Sequence, residues 1–252
     1  DIVGFVASIY NRGVDHIFIP TTLLGMVDAS MGGKTGVDFN NIKNLIGTFK
    51  NSKATYINVN FLSTLKRDDI IDGFAEIIKY GLIFDEDFFN TIYEKFNSLI
   101  ILDNMDDIEK IIIQSCQYKL GVVLKDQLDT NERMVLNFGH TIGHALEAYF
   151  VDHKISHGQA VYYGMAIESC ISFKMGFLSE EKFKKINDFL FSIITYPLNS
   201  IDHEEIFKFI KFDKKQLRNK MHFILLKDIG HAIIENDVDS LIIKNAIKEV
   251  LD

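Results

Sequence analysis

The stretch Asn137–Phe150, NFGHTIGHALEAYF, decides how the chain is read. His140 and His144 are four apart, and Asn137 and Glu147 fit the same helical spacing. At about 100° per residue these four fall in one narrow stripe, and Arg133 joins them if the helix begins early enough. The remaining residues, Val135, Leu136, Phe138, Ile142, Ala145 and Leu146, are apolar. A polar stripe on an otherwise buried helix needs partners, because desolvated polar groups are costly. A metal ion and an anionic substrate would supply them.

Working outward, His157 stands beside Gly158 in HGQAVYYGM, downstream of the stripe. Upstream lies GFAEIIKYG, with Glu76 and Lys79 three apart on one helical face and Asp72 beside them. Each feature has a plain reading as well. Two helical histidines can be structural, and Glu76 with Lys79 can be an exposed ion pair. The zinc-protease pattern needs Glu directly after the first histidine, and Thr141 stands there. A third imidazole and a carboxylate nevertheless match the ligand types of a catalytic zinc, which commonly takes three protein ligands and keeps an open position. MGGKTG is not a phosphate loop, since Asp28 occupies the place of the required first glycine, but its glycines allow close backbone approach and Lys34 can hold an anion. Lys119, Arg133 and the pair Lys214 and Lys215 read individually as surface charges.

The chain has 252 residues, 47% hydrophobic and 25% charged, an ordinary globular composition. A net charge of −8 argues against a nucleic-acid partner. No run of 18 apolar residues marks a membrane span, and no signal-peptide pattern opens the chain. Cys116 and Cys170 lie in apolar helical patterns and read as buried thiols in a reducing, cytoplasmic setting.

DIVGFVASIYNRG reads as a helix closed by Gly13, VDHIFIP and ATYINV as strands, and TTLLGMVDASMGG as a capped short helix ending in a glycine pair. KTGVDFNNIKNLIGTF reads as a long polar loop with spaced glycines. From Phe61 the periodicity is near 3.6 throughout, except for a hairpin in MHFILLKDIGHAII and a final helix in VDSLIIKNAIKEVLD. The expectation is an α/β part over 1–60 followed by a mainly α-helical part over 61–252.

In this order IPTTLLGMVDASMGGKTGVDF…KNLIGTF, GFAEIIKYGLI, LNFGHTIGHALEA and HGQAVYYGM resemble the 3-dehydroquinate synthase family. The resemblance covers essentially the whole chain and is most specific before Gly176. It implies a Rossmann-like NAD-binding domain, of which 1–60 is the C-terminal part, then a helical metal- and substrate-binding domain. The family's NAD-binding half normally begins before Asp1, so the chain reads as lacking the glycine-rich dinucleotide loop, and such a fragment is expected to bind metal without NAD or activity.

The resemblance further implies a divalent metal, zinc or cobalt, on Glu76, His140 and His157. NAD contacts would come from Asp1, Thr21, Thr22, Lys34, Lys43 and Phe61, Leu62, Ser63 and Thr64. Substrate contacts would come from Asp28, Lys34, Asn44, Lys79, Lys119, Arg133, Asn137, His144 and Lys214 or Lys215. Arg12 matches an arginine that reaches the neighbouring site, implying a homodimer. The implied reaction belongs to the shikimate pathway of aromatic amino acid biosynthesis. It converts 3-deoxy-D-arabino-heptulosonate 7-phosphate to 3-dehydroquinate and phosphate by transient oxidation with NAD, β-elimination, reduction and aldol closure. A substrate with a carboxylate at one end and a phosphate at the other explains so many cations: Arg133 and Lys119 for the first, Lys34, Asn44, His144 and the neighbour's Arg12 for the second. Another sugar phosphate cyclase, a metal-dependent polyol dehydrogenase of the same fold, or an inactive metal-binding fragment are the alternatives. The dehydrogenase needs neither set of cations, and other cyclases act on substrates without the carboxylate.

Overall fold

A computed structural model describes residues 2–39, 42–150, 155–198, 201–217 and 222–252, with the side chains of 38, 42, 43 and 211–217 left out. The elements run α1 (Ile2–Ile9), β1 (Ile17–Phe18), β2 (Lys34–Phe39), β3 (Ile42–Phe49), β4 (Ala54–Thr55), α2 (Arg67–Phe84), α3 (Glu86–Ile100) and α4 (Met105–Lys125). They continue with α5 (His140–Tyr149), α6 (His157–Lys174), α7 (Glu180–Ile193), α8 (His203–Leu217), β5 (Phe223–Asp228), β6 (His231–Glu235) and α9 (Ser240–Leu251). The chain forms two compact units: Asp1–Ile77 with Asn97–Arg133, and Ile78–Phe96 with Met134–Asp252.

In the first unit α1 ends at Ile9, short of the Gly13 end its sequence suggests, because Asn11 and Arg12 turn left-handed at φ +48 and +67, and Gly13 closes the short turn Tyr10–Arg12 instead. Gly13 adopts φ +109 and its N–H closes on the Tyr10 carbonyl. The strand expected before Pro20 pairs in parallel with the one expected in ATYINV, Ile17 opposite Ala54 and Phe18 opposite Thr55. Between them Thr22 Oγ1 accepts from Gly25 N at 3.1 Å and opens a helical turn, Gly25–Ala29. KTGVDFNNIKNLIGTF is not a loop. It is an antiparallel hairpin, β2 on β3, with a register shift between Val37 and Phe39. Its strand signal is hidden by Gly36 and Gly47, which face each other across the ladder. The approach is close: a Cβ on Gly47 would lie 2.4 Å from the Thr35 carbonyl oxygen.

In the second unit the core forms around α6. Every residue from Gly158 to Ser172 is buried, so the helix is enclosed on all sides, including its polar Gln159, Glu168, Ser169 and Ser172. Each large apolar side chain fully buried there contributes about 1.5–3 kcal/mol. Ser156 caps it by accepting from Gln159 N at 3.3 Å, a contribution of about 1 kcal/mol. Helix α5 packs on α6 at glycine contacts. A Cβ on Gly164 would lie 1.8 Å from the Gly139 carbonyl oxygen, and one on Gly143 would touch the Ala160 carbonyl at 3.3 Å. The hairpin read in MHFILLKDIGHAII is β5–β6, turned at Gly230 with φ +80. The final helix is α9, capped by Asp239, which accepts from Leu241 N at 2.7 Å.

The polar stripe does not run along one helix. Gly139 stands at φ +78 and separates the turn Glu132–Asn137 from α5. His140, His144 and Glu147 share α5, while Asn137 and Arg133 precede it. Cys170 is buried and Cys116 only half-buried; both are free thiols, and burial pushes them up to about 12 and about 11. Among the described residues no helix is long and apolar enough to cross a membrane.

Candidate metal centre and anion-binding residues

Helix α2 carries Glu76 and Lys79 one turn apart. Neither is surface-exposed: Glu76 is fully buried and Lys79 is 2% exposed, which rules out an exposed ion pair. One ligand atom from each of Glu76, His140 and His157 lies within 4.8 Å of the other two.

The imidazoles are prepared for this by their neighbours. His140 Nδ1 lies 3.1 Å from the Phe138 carbonyl oxygen, and His157 Nδ1 lies 3.1 Å from Glu147 Oε1. A carbonyl or a carboxylate can only accept, so each Nδ1 carries a proton, and in the neutral ring Nε2 is then left to act as a donor to a metal. The tautomer thus set is the one a metal ligand needs. A buried carboxylate with two Nε2 donors is a hard–borderline set that suits zinc or cobalt. His144, exposed on the same helix, stands edge to face with His140 at 5.5 Å between ring centroids. The role of Glu147 as the partner of His157 is fixed by the path between α5 and α6, and its place in the histidine stripe was the only sequence signal for it. Glu147→Ala is expected to weaken metal binding about 10–100-fold while leaving the ligand set intact. Competition with a chromophoric chelator reads this directly, and an unchanged affinity would leave Glu147 no part in holding His157.

The first unit gathers the cations. Lys119 is 5% exposed on α4; its ammonium donates to Asp28 Oδ1 at 2.6 Å and to the Asp28 carbonyl at 2.7 Å. Arg133 is 4% exposed, and its Nη1 donates to the carbonyls of Gly32 at 3.0 Å and Gln127 at 2.9 Å. Neither is the surface charge that its immediate sequence suggests. Gly32, at φ +92, leaves room for the guanidinium: a Cβ there would sit 2.4 Å from Nη2. Lys34 pairs with Asp129, a partner that no sequence spacing pointed to.

Asp126 carries the turn between α4 and Arg133. Its carboxylate accepts from Thr130 N, Thr130 Oγ1, Asn131 N and Arg133 N, and these donors hold it down at about 2.

The structure therefore brings together Asp28, Lys34, Lys119 and Arg133 in one unit and His140, His144 and His157 in the other. Arg12, Thr21, Thr22, Asn44, Phe61, Ser63 and Thr64 lie at the surface, Leu62 is fully buried, and Asn137 is half-buried. Ser63 and Thr64 spend their hydroxyls on the carbonyls of Asn60 and Phe61 within their own turn. Asp1 and the side chains of Lys43, Lys214 and Lys215 lie outside the described residues.

The family model described as 3-dehydroquinate synthase N-terminal matches residues 1–72, and the one described as 3-dehydroquinate synthase C-terminal matches 73–216. The 3-dehydroquinate synthase of Dictyoglomus thermophilum is 42% identical over 97% of this chain and 69% of its own length. That of Thermodesulfovibrio yellowstonii is 40% identical over 99% of this chain and 70% of its own length. Among solved structures, the 2-epi-5-epi-valiolone synthase ValA of Streptomyces hygroscopicus, with NAD+ and Zn2+ bound, superposes with a TM-score of 0.91 at 29% identity. That match covers 99% of this chain and 69% of ValA. A 2-deoxy-scyllo-inosose synthase complexed with carbaglucose-6-phosphate, NAD+ and Co2+ gives 0.87 at 26% identity, over 98% of this chain and 70% of that one. The family models meet end to end across the residues that supply the ligand set and the buried cations, and on that ground the chain belongs to the 3-dehydroquinate synthase family.

Proposed function

We propose that this protein converts 3-deoxy-D-arabino-heptulosonate 7-phosphate to 3-dehydroquinate and phosphate. The observation that carries this reading is the buried Arg133. Its side chain meets two carbonyl oxygens and, among the described residues, no carboxylate within ion-pair distance. A buried guanidinium without a counter-charge is costly and calls for an anionic ligand of matching fork geometry. A substrate carboxylate is such a ligand, and Lys119 beside Asp28 supplies a second cation for it. Named synthases at about 40% identity support the same activity.

Glu76, His140 and His157 are the residues that would hold a zinc or cobalt ion, which supplies Lewis-acid polarisation of substrate hydroxyls. NAD supplies the hydride acceptor that is restored each turnover. Thr21, Thr22 and the turn Phe61–Thr64, together with Asp1 and Lys43, would hold NAD, with Leu62 contributing through its backbone because its side chain belongs to the core. Residues 1–60 act as the C-terminal part of the NAD-binding domain and 61–252 as the metal and substrate domain. Lys34, Asn44, His144 and Arg12 of a second subunit bind the phosphate end, with Lys214 or Lys215 closing that end. Lys34 exchanges its Asp129 partner for the phosphate as substrate arrives. Asp28 keeps the Lys119 ammonium in place, and Lys79 and Asn137 orient the hydroxyls.

Phosphate release tests the reading. In the full-length protein the heptulosonate phosphate should be turned over, whereas a hexose 6-phosphate, which has no carboxylate, should release phosphate at background rate. Turnover of the hexose phosphate alone would assign the protein to another sugar phosphate cyclase activity.

A further inference from the structure

We propose that Asp126 is the positioning residue for the Arg133 guanidinium, a role that rests on Arg133 binding the substrate carboxylate. Helix α4 ends at Lys125, and Asp126 leaves helical conformation at φ −140, ψ 81. The next residues must return Arg133 towards Gly32, and a turn of this kind leaves backbone N–H groups pointing inward with no helix or sheet to satisfy them. Asp126 takes them. Oδ1 accepts from Thr130 N at 3.1 Å and Thr130 Oγ1 at 3.3 Å; Oδ2 accepts from Asn131 N at 2.7 Å and Arg133 N at 3.1 Å. Both oxygens of one carboxylate therefore gather donors from three residues, including the backbone of Arg133 itself.

The far end of the same residue is tied within the same turn. Arg133 Nη1 donates to Gln127 O, one residue past Asp126, and to Gly32 O. Backbone and guanidinium of Arg133 are thus both referred to the 126–127 step. The residue is 9% exposed and Arg133 4% exposed, so water is poorly placed to replace either set of bonds. Asp126 does not touch the guanidinium's ligand side; it acts through Arg133.

The chemistry demands a carboxylate. Asparagine is nearly isosteric, but its Nδ2 would point two hydrogens at the donors now bound by one of the oxygens. Asp126→Asn should fold and still misplace Arg133. A misplacement on the order of 1 Å at a binding group costs about ten- to a hundredfold.

The test has two readouts. In kinetics, Asp126→Asn should raise KM for the heptulosonate phosphate about tenfold or more, with a smaller change in kcat and unchanged metal affinity. In an Arg133→Ala background the same substitution should add nothing, because residues acting as one unit are not additive. A full additive rise would overturn the proposal, since Asp126 would then act elsewhere. The second readout needs no substrate. Phenylglyoxal labelling of Arg133, mapped by mass spectrometry on folded protein with melting temperature recorded, should be several-fold faster in Asp126→Asn. An unchanged labelling rate would overturn the positioning role. If Arg133→Ala leaves KM unchanged while Asp126→Asn speeds labelling, the carboxylate reading of Arg133 fails and the positioning of Arg133 by Asp126 stands.

Discussion

His157→Ala is expected to strip the divalent ion from the protein. The proposed ligand set has three protein donors, and losing one leaves a carboxylate and a single imidazole, too few for a closed grip on zinc or cobalt. Disturbing a residue that merely supports a metal ligand costs about 10–100-fold in affinity, so removal of a ligand should cost more than about 100-fold. The fold should survive. His157 is the first residue of α6, its helix is capped by Ser156, and the core of α6 begins beyond it. Elemental analysis after dialysis, with circular dichroism as the control for folding, reads the outcome. A stoichiometric ion retained in a folded His157→Ala protein would remove His157 from the ligand set. His140→Ala should behave alike, because Phe138 fixes its Nε2 in the same sense.

Arg133→Ala is expected to cost roughly 2–5 kcal/mol in kcat/KM for the heptulosonate phosphate, the range for losing one partner of a buried, hydrogen-bonded charge pair. That is about thirty- to several-thousandfold. The loss should be much smaller with an analogue that lacks the carboxylate, since the missing guanidinium then has nothing to pair with. Equal losses on the two substrates would assign Arg133 a structural role. Arg133→Lys should fall between, because an ammonium keeps the charge but not the planar fork. Bound metal should be unchanged in both variants, as Glu76, His140 and His157 lie on other elements.

Several features were legible because they depend on neighbours in sequence. The threonine cap of the turn after Pro20 followed from Thr22, where a local backbone group finds a local partner, and Gly13 marked a turn end though not that of α1. The hairpin at Gly230 and the strands β1 and β4 followed from turn residues and apolar runs, while the parallel pairing of the two came from the structure. The hairpin β2–β3 was illegible for the opposite reason. Gly36 and Gly47 carry no side chain with which to show alternation, and their fit is a backbone contact across the ladder.

The candidate site divides along the same line. Residue types and spacing alone made His140, His144, His157 and Glu76 a metal question, since imidazole and carboxylate are the donors such an ion takes. They also made Lys34, in its glycine-rich loop, a question of anions, while the anion roles of Lys119 and Arg133 came only from the family resemblance. Spacing also put Arg133 and Asn137 on the histidine helix, and there the structure ruled otherwise: Gly139 stands left-handed at φ +78, in close contact with Gly164 of α6, and breaks the stripe. Burial was decided by the fold too. Lys119 and Arg133 look like surface charges beside their chain neighbours, and only the approach of Asp28 and Gly32 encloses them. The same holds for Asp126, whose four donors come from the turn it folds. The sequence by itself thus determined which chemistries the chain carries, because donor type is a property of a side chain. Which donors meet and which cation loses its water were decided by tertiary structure, because Lys119 with Asp28, Arg133 with Gly32 and Glu76 with the two histidines are far apart in sequence, whereas the Nδ1 partners of the imidazoles, Phe138 and Glu147, are near neighbours.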